Sequence, residues 1–249
     1  MRLVDITEQK IIDVSYDKKG DYLSSLEIAE VVRKDCKKFL QYKIELFRGT
    51  EDTNDQFLYV EPHEFRNPLN SSHELTEVLN DIYEDIGSNV TRNNSVFTTT
   101  NIYEANSYGN LYLVFPIGDF DVLWNENIED SFVEFEMGDG AAEKWKTIPE
   151  YHIDDVAEEA RLILMNEWGY LEDTAEYNDF FQDAFKEAYD RMLDTAGVYN
   201  IAKIKNTYEK YFHHDLSKQP YKVEVMVKCN SYYAIKYETY KFVEGEIWR

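Results

Sequence analysis

Basic residues are scarce in this chain of 249 residues: 26 Lys and Arg stand against 49 Asp and Glu, for a formal charge of −23. A field of that sign repels a nucleic-acid backbone unless a local basic patch overrides it. No cluster of Lys and Arg with interleaved aromatics occurs, so free nucleic acid is disfavoured and a basic partner fits better. Solubility alone also accounts for the charge. Cysteine is rarer still. Cys36 and Cys229 give neither a disulfide framework nor a metal-ligand spacing, and each reads as a buried thiol of a reducing cytosol. His213-His214 lacks nearby Cys or suitably spaced carboxylates, so no metal site is expected. No run of 18 apolar residues exists to span a membrane. The opening "MRLVDITEQK" has no apolar signal-peptide region. A cytoplasmic protein is expected.

What is present is apolar and aromatic. Hydrophobic residues make up 43%, with 20 Tyr and 14 Phe, enough for a full core in one domain over 1–249. Residues 24–41 carry Leu26, Ile28, Val31, Val32, Cys36, Phe39 and Leu40 at helical spacing behind a Ser24 or Ser25 cap. A strand is expected around Tyr42–Phe47 and a loop over 52–70, which holds Pro62 and Pro68. "SSHELTEVLNDIYEDIG" reads as a helix with a Ser71–Glu74 capping box and a Gly87 stop. A strand at 95–99, a helix at 101–108 and strands at 111–116 and 120–124 follow. Residues 125–150 are acidic and irregular. Helices are expected at 153–167, 173–195 and 198–211, before strands return in "YKVEVMVKC" and "YYAIKYETYKF". The pattern predicts an α+β fold with 150–215 as an acidic helical insertion.

Three segments carry chemistry. "FRGT" ends an alternating apolar run on Arg48, Gly49 and Thr50. "FTTTNIYEANSYG" runs from Phe97 through Thr98 and Thr99 to Tyr108, with Phe97 and Tyr108 eleven residues apart. "KVEVMV" centres on Glu224. In that order they resemble the three motifs of the ADP-ribosyltransferase superfamily, as a hybrid of its diphtheria-toxin-like and arginine-directed classes. The stretch "SVFTTTNIYEANSYGNLYLVFPIG" is also similar to phage-encoded proteins of this broad kind.

The resemblance implies a split two-sheet core and NAD as substrate, with no metal. It implies catalytic roles for Glu224, Arg48 and Thr99, and NAD contacts from Arg48, Gly49, Thr50, Arg66, Phe97, Thr98 and Tyr108. The residue types suit that chemistry. Arginine donates paired hydrogen bonds to phosphate or ribose oxygens. An aromatic face, Tyr108 with Phe97 opposite, stacks on a cationic nicotinamide. A carboxylate stabilises the oxocarbenium-like ribose as the glycosidic bond breaks. Thr98 or Thr99 is expected to hold Glu224 in its rotamer.

Departures narrow the class. Arg48 replaces the toxin-like histidine and Phe97 the first toxin-like tyrosine. Lys222 replaces the second Glu or Gln of the arginine-directed class. The implied activity is mono-ADP-ribosylation of a host protein or other macromolecule. The rivals are an NAD glycohydrolase and an inactive, binding or virion-associated member that engages a basic partner. Outside the resemblance, Arg48 also fits a surface pair with one of many carboxylates, Tyr108 a core position, and Glu224 a solvent-facing strand residue. Arg92, like Arg66, is a loop arginine that could make a second phosphate contact, though loop arginines are more often exposed pairs.

Overall fold

The computed structural model describes residues 9–13, 23–51, 53–62, 72–137, 141–167 and 175–249. In chain order these form β1 (Gln9–Asp13), α1 (Ser25–Asp35), α2 (Lys37–Leu40), β2 (Phe47–Thr50), β3 (Phe57–Pro62) and α3 (His73–Asp85). Next come β4 (Val96–Thr99), α4 (Ile102–Ser107), β5 (Asn110–Pro116), β6 (Phe120–Asn125), α5 (Ala141–Trp145), β7 (Lys146–Thr147) and α6 (Ile153–Leu162). The remainder is α7 (Ala175–Ala196), β8 (Val198–Tyr199), α8 (Ile201–Tyr208), β9 (Phe212–His213), β10 (Glu224–Cys229), β11 (Tyr232–Lys236) and α9 (Tyr237–Ile247). The fold is α+β with a large antiparallel sheet.

The chain divides into two compact units, Met1–Ser131 with Tyr208–Arg249, and Phe132–Thr207. In the first, nine described strands form one sheet in the order β1-β3-β11-β5-β2-β4-β10-β6-β9. The resemblance implies two separate sheets; the described strands instead form one continuous sheet, joined across β2 and β4. The join is narrow: β2 and β4 share one register pair, Phe47↔Thr99. β5 is buried on both faces, with Leu111, Leu113 and Phe115 in one core cluster and Tyr112 and Val114 in the other. Helices α1 and α9 pack together over the first cluster.

Capping chemistry sets the helix starts. Ser24 and Glu27 form a capping box: Ser24 Oγ accepts from the Glu27 amide at 3.4 Å, and Glu27 Oε2 accepts from the Ser24 amide at 2.7 Å. α3 is capped by Ser72, whose Oγ accepts from the Leu75 amide at 3.1 Å. Ser71, the expected cap, lies outside the described residues. Gly87, at φ +79°, closes α3 while Ser88 N donates to Tyr83 O.

Four expectations are corrected. The strand expected over 42–47 begins only at Phe47; a turn follows α2, Lys43 takes φ +50°, and residues 44–46 lie outside the strand. Within the expected loop, Phe57–Pro62 is a strand, since Phe57, Leu58 and Val60 are buried. The last expected strand is β11 followed by helix α9. Tyr240, Val243 and Ile247 recur at helical spacing and fill the core, which overrides the β-propensity of the tyrosines. The helix expected over 198–211 is interrupted by β8 and shortened to α8.

The second unit is mainly helical, with a two-stranded β7–β8 ribbon. Val156 and Ala160 of α6, with Ile163 and Leu164 just beyond, pack against Ala184, Ala188 and Leu193 of α7. Small residues at 160, 184 and 188 allow close approach of the two helices. Among the described residues no helix is long and apolar enough to cross a membrane.

Candidate active site

The three motif strands are neighbours in the first unit, in the order β2-β4-β10. Thr99 sits at their crossing, opposite Phe47 on one side and Glu224 on the other. Arg48 follows Phe47 directly, so segments far apart in sequence meet at one point of the sheet.

The threonine run fixes the backbone of β10. Thr98 Oγ1 donates to Val225 O at 2.7 Å and Thr99 Oγ1 to Val223 O at 3.1 Å. Thr100 N also donates to Val223 O, and Thr100 Oγ1 accepts from Val223 N. The carbonyls on both sides of Glu224 are thus pinned, but neither threonine hydroxyl reaches the carboxylate as expected. A hydroxyl committed to a strand carbonyl has no second proton to give.

Ser131 takes that role. Its Oγ donates to the Glu224 carboxylate, 3.0 Å from Oε1 and 3.1 Å from Oε2. Arg92 Nη1 donates to the same Oγ at 2.5 Å and stands 3.8 Å from Glu224 Oε1. The Arg92 guanidinium also covers the Phe97 ring, 4.7 Å from its centroid. Arg92 is therefore a buried partner of the carboxylate, where an exposed surface pair was expected ahead of a phosphate contact. Its turn is anchored by Asn80 Oδ1, which accepts from Arg92 N at 2.7 Å. The Glu224 side chain is 17% exposed. Burial pushes its carboxyl above the ordinary range, Arg92 opposes this, Asp130 adds to it, and the Ser131 hydrogen bonds oppose it.

Tyr108 closes α4 and is 37% exposed. Its hydroxyl donates to Asp130 Oδ2 at 2.6 Å. Burial and that acidic partner raise the phenol. Glu104, one turn earlier on α4, is also raised, by burial and then by Asp130. Buried Tyr83 of α3 is raised by burial, with Arg92 opposing.

Arg48 is half-buried, and its Nη1 donates to Phe97 O at 3.3 Å. Among the described residues no carboxylate pairs with this guanidinium. That is notable in so acidic a chain. Gly49 faces Leu111 on β5. A Cβ on Gly49 would meet Ala105 O at 1.9 Å and Tyr108 Cβ at 2.8 Å, so its absence seats α4 against β2. Thr50 stands opposite Asn110 at the end of β2. Phe97 is half-buried, and Arg92 occupies one face of its ring, so that face is not open to a nicotinamide. Arg66 lies outside the described residues.

The structure thus links Arg48, Phe97, Arg92, Ser131 and Glu224 through successive contacts, and ties Tyr108 to Asp130 next to Ser131. Sequence reasoning missed Asp130 and Ser131, which belong to no motif and lie in a stretch read as irregular. The one available signal for Arg92 was a lone arginine after a helix stop in an acidic chain. Among the described residues, no group of three or more His, Cys, Asp or Glu is arranged to hold a metal ion.

No family model, curated protein or solved structure matches the chain. Function therefore rests on the site: a buried carboxylate beside an arginine, a partly exposed tyrosine ring, and a second arginine free of carboxylate partners among the described residues. Such a site can stabilise a developing positive charge and bind an anion close by.

Proposed function

We propose that the chain is a mono-ADP-ribosyltransferase that cleaves NAD and transfers ADP-ribose to a macromolecular acceptor. The observation that carries this reading is the line Phe47–Thr99–Glu224 across β2, β4 and β10, which gathers all three motif segments. NAD fits the residues present. Arg48 offers donors to its anionic pyrophosphate, and the exposed Tyr108 ring offers a face to its cationic nicotinamide.

In the proposed reaction the bond between the ribose C1′ and the nicotinamide nitrogen breaks, and its electron pair leaves with a now neutral nicotinamide. The Glu224 carboxylate stabilises the positive charge that develops on the sugar. A lone pair on the acceptor forms the new bond at C1′, and the acceptor's proton passes to Glu224 or to water. The net charge of −23 favours a basic acceptor. A phage origin and a host protein as acceptor follow from the sequence resemblance alone.

A non-catalytic binding role is the second reading. It draws on the satisfaction of Glu224 by Ser131 and Arg92 within the protein. Incubation with labelled NAD and a bacterial lysate separates the readings. Transfer predicts label on a macromolecule, lost in Glu224→Gln. Free ADP-ribose without a labelled acceptor points to a glycohydrolase. Absence of NAD binding by calorimetry favours the binding protein.

A further inference from the structure

We propose that Ser131, held by Arg92, is the positioning residue for Glu224 and orients its carboxylate. The inference rests on the proposed reaction, in which that carboxylate faces the sugar.

The argument starts from proton counting. A serine hydroxyl carries one proton and can also accept, whereas a guanidinium only donates. Arg92 Nη1 donates to Ser131 Oγ at 2.5 Å. The Ser131 proton therefore cannot point at Arg92, and Glu224 is its acceptor, with Oε1 and Oε2 at 3.0 and 3.1 Å. Arg92 itself is 3.8 Å from Oε1, beyond hydrogen-bond distance. Its influence on Glu224 combines a short-range charge with a hydrogen bond relayed through Ser131. The chain Arg92–Ser131–Glu224 has one polarity, and each link strengthens the next.

Rigidity comes from both ends. Ser131 is 1% exposed and Arg92 is 2% exposed, so neither has room to swing away. Stacking on Phe97 further holds the guanidinium plane. The other titratable groups around Glu224 are Asp130 beside Ser131, Tyr108 of α4 and Tyr83 of α3. Asp130 opposes ionisation of Glu224, which leaves Arg92 and Ser131 as the groups that favour it. The positioning hydroxyl expected from Thr98 or Thr99 is thus supplied from a different part of the chain.

The test is a carbon-13 carboxyl titration of the full-length protein by NMR. The Glu224 resonance is identified by its loss in Glu224→Gln. Ser131→Ala is expected to raise the Glu224 midpoint by about one pH unit, as loss of one charge-assisted hydrogen bond implies. Arg92→Lys, which keeps the charge but not the planar fork, is expected to give a smaller rise. Ser131→Thr restores the hydroxyl and should return the midpoint toward wild type. With NAD, Ser131→Ala should lower kcat on the order of ten-fold while KM changes less than about two-fold. The acidic limb of its rate profile should move upward with the NMR midpoint. A wild-type midpoint in folded Ser131→Ala overturns the proposal. If Ser131→Thr does not fold, Ser131→Ala and Arg92→Lys decide the matter. If the wild type turns over no NAD, the enzymatic reading fails, while the titration still decides whether Ser131 controls Glu224.

Discussion

Gly49 lies so close beneath α4 that a Cβ there would stand 1.9 Å from the Ala105 carbonyl oxygen. The obstacle is backbone, so no side-chain rotation relieves it. Gly49→Ala must push α4 away from β2 and move Tyr108 with it. A loss of about 1–3 kcal/mol is expected by urea denaturation, the usual range for overpacking. An unchanged unfolding midpoint would show that this contact does not constrain the fold.

Arg48 makes a different contribution. The one side-chain hydrogen bond it makes among the described residues goes to the neutral Phe97 carbonyl. Arg48→Ala should therefore cost little stability yet weaken NAD binding by about 1.5–3 kcal/mol, roughly ten-fold to a hundred-fold in Kd. Calorimetry alongside thermal melts reads both quantities. A large loss of stability with unaltered binding would make Arg48 a scaffold residue.

Glu224 gives the first unit a signed pH dependence. Burial raises its carboxyl pKa in the folded state above the unfolded value of 4.5. The folded state therefore binds the proton more tightly. This contribution to stability is complete below the unfolded pKa and is lost as pH rises through the folded one. The difference in Tm, wild type minus Glu224→Gln, should fall as pH increases from about 4.5. Any constant offset from replacing the charge beside Arg92 does not alter that slope. A difference that grows with pH would mean that Arg92 and Ser131 outweigh burial.

The second unit has its own test. Leu164 is fully buried among Val156, Ala160, Ala184 and Ala188. Leu164→Ala should cost about 2–5 kcal/mol through lost burial and the cavity left behind. Hydrogen exchange should accelerate over α6 and α7 more than over β4 and β10. Equal acceleration throughout would mean that the two units unfold as one.

Legibility in the sequence followed the range of the interactions involved. β4, β5, β6 and β10 were readable because their apolar pattern is local. The three motif segments lie on the adjacent strands β2, β4 and β10, an adjacency that no local apolar pattern states. β3 was hidden by its polar flank and by Pro62, and α9 by tyrosines that favour strands. The partner of Glu224 was invisible for a stronger reason. Ser131 lies 93 residues away, and only the folded sheet brings its hydroxyl to the carboxylate. The threonines nearest in motif spacing spend their hydroxyls on backbone carbonyls.

The order of strands also dictates when the first unit can assemble. The chain passes between the two halves of the sheet at β3 to β4, β4 to β5, β5 to β6 and β10 to β11. β11, the last of the described strands in chain order, is inserted between β3 and β5 and pairs with both. Until Tyr232–Lys236 has left the ribosome, β3 has no partner on that side, and β5 has none beyond β2. The first unit therefore cannot complete its sheet before β11 is made, and its folding rate is limited by closure of long loops.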